Sequence, residues 1–286
     1  MITLVLSILS STVIFVIFKL FKRYNVNTFQ AIVFNYFTAA VIGTYLYADT
    51  WNPAALNDIS WVGYSLLTSV LFITLFLIMG LSSQRNGVAS TSIAVKMSMA
   101  ISLLLLIYWY SESVSILKIS GIAFAFLGVY LVSYTPKSTK LTSAWMLFAL
   151  FIGSGILDFT LNYVQNFKLE YLSTPLFSTF SFLSAGIIGL SYLIISSLKG
   201  NLMIERKNIL AGAILGVPNF FSIYLLMLSY KTIDWTDSTI LAITNVSVVL
   251  LSAIIGFIAF NESKSNRKIF GLLCALLAIA TLYIAQ

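Results

Sequence analysis

The sequence holds no histidine, one cysteine, four prolines and only nine acidic residues in 286. Without histidine there is no imidazole to ligate a metal or to act as a general base near neutral pH. The lone Cys274 excludes an internal disulfide and, in an apolar run, reads as packing. The carboxylates are scattered rather than clustered, so no acid–base or metal constellation is expected, no cofactor, and no enzyme. Charge is scarce as well: Asp, Glu, Lys and Arg make up 9% of the chain, against about 25% in a soluble domain. A positively charged leader and a small-residue cleavage site are both missing ahead of the first apolar run, which therefore reads as a span.

What is present is apolar. Hydrophobic residues make up 59% of the chain and the mean hydropathy is +0.98. Ten runs are long enough to cross the roughly 30 Å of a bilayer core. They fall near 2–21, 28–47, 60–81, 88–110, 114–134, 143–163, 174–198, 208–230, 236–260 and 266–285. Short breaks such as Lys22-Arg23-Tyr24-Asn25 and Pro136-Lys137-Ser138 separate them and leave no room for a soluble domain. Lipid-facing backbone must be satisfied within helices, so the expectation is an all-α integral membrane bundle of ten transmembrane helices.

An internal repeat organises that bundle. Glu112-Ser113, Lys118-Ile119, Gly121, Ala125 and Leu127 recur as Glu262-Ser263, Lys268-Ile269, Gly271, Ala275 and Leu277, each 150 residues later. The chain reads as two five-helix halves, 1–135 and 136–286. Five spans per half place the second half upside down relative to the first, giving two inverted repeats with a substrate site between them near the midplane.

The net charge of +7 is not a nucleic-acid footprint, because the basic residues sit at span ends rather than on one face. Lys19, Lys22, Arg23, Arg85, Lys137, Lys140, Lys199, Arg206, Lys207, Lys264, Arg267 and Lys268 flank the odd-numbered loops; only Lys118, Lys168 and Lys231 flank the even ones. The positive-inside rule then puts the odd loops in the cytoplasm and both termini outside, in a cell (inner) membrane. Trp51, Trp61, Trp109, Trp145 and Trp235 lie near span ends, as an interfacial belt does.

The sixteenth basic residue, Lys96, lies inside the fourth run, ~12 Å along a helix from Val88 and ~20 Å from its end. An ammonium at that depth costs ~2.5–3.5 kcal/mol even on lenient scales, so it must face water, a partner or substrate. It can snorkel to the interface or lock onto an internal carboxylate. It can also stand in a wet cavity and hold the anionic part of a substrate. Ser92 and Met99 share its helix face. Asp158 is the carboxylate deepest in a span, followed by Asn162 at i+4 and Gln165 at i+7. It serves either as interhelical glue or as a cavity carboxylate for an amine or a proton. Gly153 and Gly155 beside it permit close helix approach. In the eighth span Pro218 removes a backbone donor and predicts a kink suited to a gate, with Asn219 and Ser222 on the kinked face. In the ninth span Asn245 is the repeat counterpart of Val95, one position from Lys96. Ser7, Ser11 and Asn35 read as interhelical hydrogen-bond groups. Glu112 and Glu262 read as structural carboxylates that complement the start of the helix following each.

Two five-helix halves, each with a Glu, a Gly nine residues later and small residues after it, resemble the drug/metabolite transporter superfamily and its ten-helix EamA-type members. Tyr110-Ser-Glu-Ser through Gly121 and Phe260-Asn-Glu-Ser through Gly271 look like that family's repeat-end motif. The resemblance implies alternating access and a cavity lined by spans one, three, four, six, eight and nine. Lys96, Asp158, Asn219 and Asn245 fall on those spans. Proton-coupled members that export cationic drugs carry a glutamate in the first span, and this chain has none there. The function expected is secondary transport, as exporter or exchanger, of a small polar anionic or zwitterionic metabolite such as an amino acid or organic acid. Flipping of a lipid or lipid carrier, or drug export on the same fold, is the alternative. The partners expected are the substrate, the bilayer, protons or a counter-substrate, in a monomer or weak homodimer that binds no nucleic acid.

Overall fold

A computed structural model of the chain describes residues 1–110, 115–133, 141–199, 204–235, 237–262 and 265–285. Glu112, and the boundary near 135 between the two expected halves, lie outside those residues. The described chain is all-helical: α1 (Ile2–Arg23), α2 (Thr28–Tyr47), α3 (Ser60–Arg85), α4 (Val88–Met97), α5 (Met99–Tyr110), α6 (Ile116–Ser133), α7 (Leu141–Phe167), α8 (Thr174–Leu198), α9 (Arg206–Thr232), α10 (Asp237–Ile258) and α11 (Asn266–Ile284). Two 3-10 turns, Ala48–Thr50 and Pro53–Leu56, link α2 to α3.

Eight stretches are long and apolar enough to cross a bilayer, α4 and α5 counting together as Val88–Trp109. Two further apolar helices, Ile116–Val132 and Ile243–Ile258, are shorter. Among the described residues, the expectation of ten spans thus meets eight of full length and two shorter apolar helices.

Small residues set which helices touch. Gly212 and Gly216 of α9 sit on the backbone of α2, where an added Cβ would collide with the carbonyls of Ala31 and Asn35. Four-residue spacing of glycine lets two helix backbones approach this closely. α6 and α11 pack antiparallel: Gly121 lies under Leu282, Gly271 under Val132, and Gly128 against the Gly271 carbonyl. α2 and α8 also run antiparallel, with Gly43 on Thr179, Phe37 on Gly186 and Val33 on Gly189. α4 packs on α10, α1 on α9, and α3 between α7 and α8. Between α3 and α8 a buried hydroxyl ladder runs beside the apolar packing of Phe72 on Phe182. Ser181 Oγ pairs with Thr68 at 2.9 Å and Ser65 at 3.2 Å, and Ser69 Oγ donates to the Ser181 carbonyl at 2.8 Å.

Candidate functional site

The fourth span is not one helix. Its hydrogen-bond ladder breaks at Ser98, two residues after Lys96, where α4 ends and α5 begins. Ser98 Oγ donates to the Val95 carbonyl at 2.6 Å. A serine that bonds back into its own helix competes with the ladder and bends it. α7 presses on the break: a Cβ at Gly155 would meet the Ser98 carbonyl and Ile101, so only glycine allows this approach. Gly153, one turn-face away, seats Leu75 of α3.

The break gathers polar groups. Ser98 Oγ also lies 3.4 Å from Asp158 Oδ2. Lys96 and Asp158 are close enough to attract one another electrostatically. Even so, among the described residues no carboxylate stands within 4.0 Å of the Lys96 ammonium. On the other flank Asn245 Nδ2 points at Met99 Sδ, 3.6 Å away. Asp158 of α7 and Asn245 of α10 therefore each reach the α4–α5 break, at Ser98 and at Met99, and Lys96 stands two residues before it.

Coverage changes sharply at this level. Residues Val88 through Ala94 of α4 are buried and Val95 and Lys96 are partly exposed, while Met97 and Ser98 at the break are buried again. On α7, Leu147, Phe151, Ser154, Asp158, Asn162 and Gln165 follow at intervals of four, three, four, four and three, which keeps them on one face. The first three are buried and the last three exposed. The face that lies against the core in the first half of α7 is thus uncovered from Asp158 to the helix end. The exposed apolar residues Trp145, Phe148, Ile152 and Ile156 project from another side of α7, so its exposed polar and exposed apolar residues lie on different faces. An aqueous opening, with Lys96 and Asp158 at its floor, fits this pattern. The opposite end is shut. Glu262 lies on the start of α4, Ser82 pairs with Thr91 at 2.8 Å, and Gln84 donates to Thr28 at 2.8 Å.

Other expected residues lie apart. Ser92 shares the Lys96 face but is buried, and its hydroxyl donates to Ala89 of its own helix at 2.9 Å. Asn162 lines the opening one turn beyond Asp158, with its Oδ1 accepting from Asn166 at 3.1 Å. α9 runs on as a helix through Pro218. Asn219 is buried there at 3% exposure, and its Nδ2 has no hydrogen-bond partner. Ser222 takes part in the α1 interface, its carbonyl accepting from Ser7 at 2.8 Å. No recorded contact joins Asn219 to the Lys96 group. Ser98 was not singled out in the sequence; its signal is a hydroxyl in mid-span, two residues from the lysine. Glu262 does cap a helix, but α4 rather than the α11 that follows it. The α11 start is capped instead by Ser265, which accepts from the Lys268 N–H at 3.4 Å. A separate aromatic pocket between α2, α8 and α9 is lined by Tyr47, Phe182, Phe220, Tyr224 and Met227.

No family model matches the chain. An uncharacterized protein of Haemophilus influenzae is 25% identical over 290 residues, which cover 98% of this chain and 97% of that protein. A crystal structure of a protein 12% identical in sequence superposes with a TM-score of 0.60, over 98% of each chain. That likeness is one of fold. The apolar helical bundle is compatible with a membrane transporter.

Proposed function

We propose that the protein is a secondary carrier, not an enzyme, of a small polar anionic or zwitterionic metabolite. It works by alternating access between two inverted repeats, 1–135 and 136–286. The observation that carries this is Lys96: a partly exposed lysine at a break in an apolar helix, with no carboxylate within 4.0 Å of its ammonium among the described residues and Asp158 beyond Ser98. Discontinuous helices that meet polar groups at mid-membrane are how carriers build substrate sites.

Mirrored contacts support the inverted repeat. Gly121 on Leu282 becomes Gly271 on Val132 when both positions are moved by 150 and the helices exchanged. In the α2–α8 pair, Gly186 rests on Phe37, one residue from its own counterpart at position 36. A two-fold axis in the membrane plane requires such antiparallel crossings. With the odd loops cytoplasmic, the Asp158 opening faces outward and the Glu262 end is the closed cytoplasmic one.

The second reading is an apolar drug or a lipid tail; the aromatic pocket between α2, α8 and α9 has room for about one water and would have to widen to hold either. Thermal stabilisation of the purified protein separates the two. The panel is amino acids, organic acids, phosphorylated sugars and lipophilic cations, run on wild type and Lys96→Ala. A bound ligand adds about 2.7 kcal/mol at a hundredfold excess over Kd. An anion or zwitterion that stabilises wild type and not the variant is the expected result. Stabilisation by lipophilic cations only, or hits that survive Lys96→Ala, would favour the aromatic pocket.

A further inference from the structure

Glu262 belongs to the turn after α10, yet its carboxylate serves a helix far away in sequence. Asn261 adopts φ +49, and the Glu262 N–H donates back to the Gly256 carbonyl at 3.0 Å. That turn throws the side chain across the end of the bundle. There Oε1 accepts from the Val88 N–H at 2.6 Å and Oε2 from the Ala89 N–H at 3.3 Å, the first two residues of α4. Lys19 of α1 approaches Oε1 to 3.7 Å. The site is fitted to the carboxylate: a Cβ on either Gly87 or Gly256 would collide with it. The Glu262 side chain is 4% exposed. One carboxylate thus ties α1, α4 and the α10–α11 turn together, at the end opposite the Asp158 opening.

A carboxylate on helix N–H groups makes bonds stronger than neutral ones, and the helix dipole and Lys19 add to them. The same α4 carries Lys96 eight residues beyond the capped Val88. While the cap holds, the buried half of α4 seals Lys96 from the Arg85 end of the bundle.

We infer that Glu262 is a releasable latch: its bonds to α4 close the Arg85 end, and they part to let Lys96 face that side. The inference rests on the carrier reading above. A permanent structural cap would hold the same contacts and never release them, so reversibility is what the test must read.

Ser90 offers the reporter. It is buried in α4 beside the latch and its hydroxyl has no hydrogen-bond partner, so cysteine fits with little disturbance. In a Cys274→Ser background, Ser90→Cys is exposed to a membrane-impermeant maleimide from the Arg85 side of sealed vesicles. Glu262→Gln keeps the shape and an acceptor oxygen but removes the charge; it should raise the labelling rate about tenfold. Lys19→Gln leaves both N–H bonds in place and should raise it about threefold, and it carries the test if Glu262→Gln does not fold. A control cysteine at Ser181, between α3 and α8, should stay unreactive in every background. With Glu262 and Lys19 intact, Ser90→Cys should be labelled slowly but completely, because the latch opens. No labelling in that background marks a permanent cap and would overturn the latch, as would unchanged labelling in the folded variants or a parallel rise at Ser181. The labelling needs no substrate. A failed carrier reading would therefore show in the ligand panel and leave this result to be read separately.

Discussion

On the carrier reading, the cost of Lys96 in a bilayer is offset by the helix break at Ser98 and by the exposure of α7 from Asp158 onward. The lysine and the aspartate were visible in the sequence as rare charges in apolar runs. Their proximity was not, since it depends on how α4 and α7 pack, and that is set by Gly155 on Ser98. Ser92 shows the limit of face arguments. It lies four residues from Lys96, yet it is buried because the Arg85 end of α4 is closed. Gly87 is the most constrained residue at that end. Its φ of +98 and ψ of 163 fall in a region reserved for glycine, and the Glu262 carboxylate occupies the place of a side chain. Gly87→Ala should destabilise the protein by about 1–3 kcal/mol from backbone strain alone. A lowered Tm measured in detergent, with a larger fall than for Gly63→Ala, checks it.

Among elements, span positions were legible because bilayer thickness fixes their length: α2 and α8 match their expected bounds, and α1, α3, α6 and α11 differ by a few residues. The fourth span was expected whole and is divided at Ser98, because one serine in an apolar run does not announce which carbonyl it will bond. Pairing was legible only where glycine marked it. Gly212 and Gly216 seat α9 directly on the α2 backbone. Gly212→Leu must push the helices apart, at a cost of several kcal/mol, as overpacking of a tight interface does. Gly63→Leu, where nothing lies within 4 Å, should be silent. Size-exclusion profiles and Tm of the two variants decide it: a monodisperse Gly212→Leu with unchanged Tm would contradict the close α2–α9 contact.

For the molecule as a whole, the 150-residue repeat was readable near the ends of the two halves, where Glu, Lys and Gly recur in register. The role of Glu262 was not readable, because the helix it caps lies 174 residues away in the chain. The exposed Asp158 end and the covered Glu262 end also needed coordinates, since they arise from which helices are in contact rather than from composition. On the proposed orientation, with the odd loops cytoplasmic, Asn162→Cys and Gln165→Cys should be labelled by an impermeant thiol reagent from outside in intact cells, and Ser90→Cys should not. Labelling of Ser90→Cys from outside ahead of the other two would reverse the assignment of the open end.

The most direct measurement is uptake into proteoliposomes of a radiolabelled anion or zwitterion that stabilises the wild-type protein. If Lys96 holds the substrate, wild type accumulates it by exchange and Lys96→Ala falls to the rate of empty liposomes, while both proteins insert equally. Equal uptake by the two proteins would show that the ammonium at the helix break is not the substrate's partner.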